Sequence, residues 1–68
     1  MKAADMHIRL IDPTGQYAPV IHHHRVWDTH KFYRSQVKLH ENAPNPADRR
    51  LVSIATEAEY RAARGRPA

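Results

Sequence analysis

Apolar and polar residues alternate near the start of the chain. In residues 6–11 (MHIRLI), Met6, Ile8 and Leu10 occupy every second position and are separated by polar side chains. This period of two predicts a strand with one buried face. Residues 12–15 (DPTG) then predict a type I turn, because aspartate, proline and glycine stand at the turn positions that each favours.

Two further segments have the character of strands. Residues 19–27 form the second predicted strand, which starts near Pro19 or lies at a sheet edge because proline has no N–H for the ladder. Residues 51–55 (LVSIA) are rich in β-branched and apolar side chains and predict a short strand.

The end of the chain predicts a helix over residues 57–64. Thr56 and Glu59 have the spacing of a capping box, in which each side chain bonds the main chain of the other. Gly65 suits the C-terminal end of the helix. Two turns of helix are too short to be stable alone, so we expect Tyr60 and Ala63 to pack against the sheet.

Residues 31–40 (KFYRSQVKLH) fit two structures. As a helix, the segment would begin with Asp28 as N-cap and a Trp27–Phe32 hydrophobic staple. We favour a strand at about 32–40, because the helical stripe would include Gln36 and His40 and the segment has few strong helix formers.

The predicted fold class is therefore α+β, in one small domain spanning residues 1–68. An antiparallel sheet of three to four strands carries one short C-terminal helix, and residues 41–50, rich in proline and asparagine, form an exposed connector. The strands are expected at about 6–11, 19–27, 32–40 and 51–55.

A row of three histidines lies in the second predicted strand. If residues 20–26 and 33–39 form a hairpin, strict alternation places His22 and His24 on the mainly apolar face. His23 then lies on the opposite, basic face.

Composition limits the function classes. The chain has 68 residues and no cysteine, which excludes disulfides and thiolate zinc sites. No segment is long and apolar enough for a signal-peptide core or a membrane span, so we expect a cytoplasmic protein without a membrane partner. A chain this small buries little surface, and we expect a homo-oligomer or a subunit bound to a larger complex.

The formal net charge of +4 makes an anionic partner more plausible. On the predicted hairpin, aromatic and cationic side chains share one sheet face, and this combination suits either a protein interface or base stacking with phosphate contacts. The predicted partner-binding residues are Arg25, Trp27, Phe32, Arg34, Lys38 and His23. We expect a non-enzymatic binding protein that docks a protein or a protein–nucleic-acid partner, with a single-stranded nucleic-acid-binding module as the alternative.

A metal site is the other alternative. Two imidazoles at alternate strand positions can converge on one ion, so His22 and His24, joined by His30, would bind zinc or nickel. No nucleophile elbow, phosphate-binding glycine loop or paired-carboxylate motif occurs in the sequence, and we therefore predict no catalysis and no required cofactor.

Overall fold

The computed structural model describes residues 2–65, which form a three-stranded antiparallel sheet with two helices. The sheet has the order β2-β1-β3. The elements in chain order are β1 (Ala4–Ile11), β2 (Val20–Val26), α1 (Thr29–His40), a 3₁₀ turn (Pro46–Asp48), β3 (Leu51–Ala55) and α2 (Glu57–Arg64). The predicted α+β class, antiparallel sheet and C-terminal helix are confirmed.

The turn after β1 follows the sequence prediction. The N–H of Gly15 donates to the carbonyl of Asp12 at 3.1 Å, and Gly15 has a φ of 75°, which glycine adopts without strain. The Asp12 carboxylate accepts from the Thr14 hydroxyl at 2.8 Å and from the N–H of Tyr17 at 3.0 Å. The bond from the Thr14 hydroxyl is the main cause that lowers the pKa of Asp12.

The predicted strand at 32–40 is wrong, since these residues belong to α1. The Asp28 side chain caps this helix by accepting from the N–H of Lys31 at 3.0 Å, as the helical alternative requires. Phe32, Tyr33 and Val37 pack against the core from one side of the helix. Tertiary packing therefore outweighs the weak helix propensity of the segment.

The predicted hairpin between residues 20–26 and 33–39 is also wrong. β2 pairs instead with β1, so that His24 lies opposite Met6 and His22 opposite Ile8. The loop between β1 and β2 is the hairpin connection, and β1 becomes the central strand because β3 pairs along its other edge.

The two faces of the sheet differ in chemistry. The face that we call the α1 face carries the core of Met6, Ile8, Leu10 and Val52, which α1 covers. The opposite face, which we call the α2 face, is covered by α2 through polar and aromatic contacts: the rings of Tyr60 and His7 lie 4.8 Å apart, and Arg9 pairs with Glu59.

The predicted capping box of α2 is confirmed, since the Thr56 hydroxyl accepts from the N–H of Glu59 at 3.1 Å and the Glu59 carboxylate accepts from the N–H of Thr56 at 3.2 Å. Tyr60 packs on the sheet as expected, whereas Ala63 is exposed. Neither helix in residues 2–65 has the length and apolar character needed to cross a bilayer.

Candidate partner-binding surface

The end of β2 and the start of α1 border a shallow cleft of about 420 Å³. Arg25, Trp27 and Phe32, which the sequence analysis selected as partner-binding residues, all line it. They meet because the chain turns from β2 into α1 within two residues, so that the strand end and the first helical turn become neighbours. These three residues are brought together by this turn and not by a shared sheet face.

The exposed side of α1 extends this cleft. Lys31, Arg34, Ser35 and Lys38 border an adjacent depression of about 480 Å³ and lie at helical positions i, i+3, i+4 and i+7. Lys31 and Ser35 line both depressions, which are therefore adjacent. We call the combined area the basic surface, and it is formed by Arg25, Trp27, Lys31, Phe32, Arg34, Ser35 and Lys38.

Positive charge dominates the basic surface. Within residues 2–65 the ion pairs are Arg9–Glu59, His23–Asp5 and Arg61–Glu57, so the cations of the basic surface have no carboxylate partner. Asp28 borders the cleft beside Trp27, and one of its oxygens accepts the N-cap bond of α1.

The two aromatic residues of the basic surface have different roles. The Trp27 side chain is 68% exposed, although tryptophan is mostly buried in folded domains. Phe32 is half-buried, packs against the core and lies 4.7 Å from the ring of His24. Phe32 therefore forms the floor of the cleft, and Trp27 is the aromatic group that a partner can reach.

His23 is separated from the basic surface. Its Nε2 lies 3.1 Å from a carboxylate oxygen of Asp5, and its ring lies 5.9 Å from Tyr60 on the α2 face. Arg25 and Arg34 do not share a sheet face, because Arg25 pairs across the strands with Asp5 and Arg34 belongs to α1.

His22 and His24 share the α1 face, as alternation predicted. Their ring centres are 6.4 Å apart, His22 is exposed, and His24 is half-buried against Phe32. Burial, followed by the nearby His22 and His23, lowers the pKa of His24. His30 lies elsewhere, in a cleft beside His7 and Tyr33, and residues 2–65 contain no group of three His, Cys, Asp or Glu side chains arranged to hold a metal.

A larger cleft of about 560 Å³ lies where the start of β1 meets the first turns of both helices. Its polar lining includes Asp5, His7, Thr29, His30, Tyr33 and Glu57. His7 is buried beneath Tyr60, an environment that alternation alone could not reveal because it placed His7 on a polar, solvent-facing side.

Lys31 belongs to the basic surface but was not among the residues predicted from the sequence. Its signal was the spacing of Lys31, Arg34 and Lys38, which places three cations on one side of a helix but on no common face of a strand. Because a strand was predicted for residues 31–40, the three cations were not expected to lie on one side of the segment.

Comparisons with protein-family models, with curated proteins and with solved structures find no match to this chain.

Proposed function

We propose that this protein is a small non-catalytic binding module that docks an anionic partner through the basic surface. The observation that carries the proposal is a surface on which four cations, without ion-pair partners among residues 2–65, adjoin an exposed tryptophan. Surface charge of one sign attracts a partner of the other sign and accelerates the encounter.

Nucleic acid fits this chemistry. Lys31, Arg34 and Lys38 follow one side of α1, where they can contact successive phosphates, and Trp27 offers a π face for a single-stranded base. Stacking on one aromatic ring contributes about 1–3 kcal/mol per base. A cytoplasmic location is part of this proposal.

An acidic protein segment is the second candidate. Leu39 is 62% exposed on the helix turn that also carries Ser35 and Lys38. Exposed tryptophan and arginine beside apolar surface are typical of the residues that dominate protein interfaces. The two candidates use the same basic surface, so one set of variants tests both.

The local geometry supports binding over catalysis. The hydroxyl of Ser35, the potential nucleophile on the basic surface, donates to the main-chain carbonyl of Phe32 at 2.8 Å. A catalytic serine needs a base within hydrogen-bond reach, and Ser35 instead has the helix main chain as its partner.

Fluorescence of the single tryptophan tests the proposal. A single-stranded oligonucleotide should quench Trp27 at low salt, and the logarithm of the affinity should fall linearly with the logarithm of salt concentration, by about 0.7 per neutralised phosphate. A polyglutamate peptide of matched length tests the second candidate under the same conditions. Absence of quenching by both ligands at low salt would contradict the proposed function.

A further inference from the structure

The two outer edges of the sheet differ in how their main-chain groups are occupied. Along β3, the N–H of Val52 donates to Glu41 Oε2 at 3.0 Å, and the carbonyl of Val52 accepts from the Tyr33 hydroxyl at 3.3 Å. Just before β3, the N–H of Arg50 donates to the carbonyl of His40 at 3.2 Å. The segment from α1 to Glu41 thus closes the β3 edge.

The β2 edge is open. The N–H and the carbonyl of Val52 both point away from β1, so Val52 and Leu10, which lie opposite each other, form a pair without mutual main-chain bonds. Leu10 therefore directs its own N–H and carbonyl toward Val20 on β2. In an antiparallel ladder this direction alternates from one residue to the next along each strand. The N–H and carbonyl groups of Ile21, His23 and Arg25 therefore point outward. Within residues 2–65 no hydrogen bond involves these outward groups, and an unpaired edge of this kind is a template for another strand.

The sequence of β2 is close to a palindrome. In VIHHHRV, Val20 mirrors Val26 and His22 mirrors His24 about His23. A two-fold dimer needs a surface that is complementary to itself, and an antiparallel pair of strands with His23 on the axis meets this requirement. The occupant that the β2 edge fits is therefore a second copy of the same strand.

We propose that two copies of this protein pair along β2 and that His22 and His24 from both copies form a four-imidazole site for a divalent transition metal such as Zn²⁺. In this register His22 lies opposite the partner's His24, and His24 lies opposite the partner's His22. Each of these His22–His24 pairs is a non-hydrogen-bonded pair of the antiparallel ladder, the type in which the two side chains approach most closely.

The geometry within one chain is close to that of a shared ligand pair. Two imidazoles on one tetrahedral zinc ion have ring centres roughly 5 Å apart, at Zn–N bonds of about 2 Å. His22 and His24 start at 6.4 Å on the same face of the sheet. One chain supplies two imidazoles, which is too few for a closed structural site, and the second copy supplies the other two.

The surroundings of the two rings hold them on one face of the sheet. His24 is half-buried against Phe32, with ring centres 4.7 Å apart, and His22 beside it is exposed. The apolar ends of the paired strands, where Val20 meets the partner's Val26, would flank the four rings.

Sedimentation velocity with ZnCl₂, with MgCl₂ and with EDTA tests the proposal. Zinc should strengthen dimerisation of the native chain at least tenfold, with one zinc bound per two chains. His22→Ala should abolish the zinc effect without loss of fold, because His22 is exposed. His30→Ala is the matched control, since it removes an exposed imidazole outside β2 and should leave the zinc effect unchanged.

A second variant tests the strand edge separately. His23→Pro removes an outward N–H while leaving the ladder with β1 intact, and edge strands tolerate proline at such positions. It should prevent zinc-dependent dimerisation while circular dichroism shows a native spectrum. Any of four results would overturn the proposal. These are a monomer at saturating zinc, a stoichiometry of one zinc per chain, a loss of the zinc effect in His30→Ala equal to that in His22→Ala, and dimerisation that depends on neither zinc nor His22.

Discussion

The histidines of β2 show how neighbouring residues acquire different environments. His24 packs against Phe32 on the α1 face, whereas His23 contacts Asp5 and Tyr60 on the α2 face. The sequence predicted this division correctly, because the alternation of a strand does not depend on which strand it pairs with. It could not predict the neighbours, which come from β1, from the adjoining helix α1 and from α2, which is distant in sequence.

The half-buried histidines His24 and His40 predict lower stability in acid. Burial is the main cause that lowers the pKa of both His24 and His40 from the ordinary value of 6.5. The next cause is the nearby His22 and His23 for His24, and the Arg50 charge for His40. The unfolded chain therefore binds protons more readily than the folded chain just below pH 6.5. The free energy of unfolding should be constant above about pH 7.5 and should fall as pH drops through 6.5 toward the lowered folded pKa values.

Urea unfolding between pH 5 and 8 measures this effect. His24→Gln should reduce the slope of stability against pH in this window, while His30→Gln, which changes an exposed side chain, should leave it unchanged. A stability that rises on acidification from pH 7 to 5.5 would contradict the lowered pKa of these two half-buried rings.

At the scale of elements, local signals succeeded where they were specific and complete. The turn at residues 12–15 and the capping box of α2 each use several residues with distinct stereochemical roles, and both were predicted. The Asp28 N-cap was a correct local signal for a helix over residues 31–40, but the apolar positions of the segment suited both periods and the segment has few strong helix formers. The helix forms because it brings Phe32 and Val37 to the core while Gln36 and His40 remain only half-buried, a compromise that composition alone did not reveal.

The N-cap of α1 should make a measurable contribution to stability. Asp28→Ala removes the acceptor for the N–H of Lys31, and such substitutions cost about 0.5–2 kcal/mol. Asp28→Asn is the control, because asparagine also caps helices well. Chemical denaturation should show a clear loss for the alanine variant and a small change for the asparagine variant; equal losses would argue that the charge of Asp28, and not its hydrogen bond, stabilises α1.

At the scale of the whole molecule, the chain leaves much apolar surface accessible. Its surface is 5407 Å², whereas a monomer of 7.9 kDa typically exposes about 4,400 Å². Neither helix contributes a fully buried residue, and large apolar side chains such as Trp27, Leu39 and Ile54 are more than half exposed. A small core with this much exposed surface is consistent with a protein that works in association with a partner.

The fold class followed from the sequence, but the basic surface followed only in part. The sequence selected Arg25, Trp27 and Arg34 because cations near aromatic residues suggest a binding role. Assigning them to one sheet face was wrong, because that assignment depended on a hairpin that does not form. The connection from β2 into α1 brings them together by a different route.

The central claim is that the basic surface, and not positive charge in general, binds the anionic partner. Arg34→Gln and Arg61→Gln remove the same charge from exposed positions on two helices that cover opposite faces of the sheet. Oligonucleotide affinity, measured by Trp27 fluorescence across a salt series, should fall for Arg34→Gln, with a salt slope shallower by about 0.7. Arg61→Gln should match the native chain in both quantities, and equal effects of the two substitutions would contradict the account.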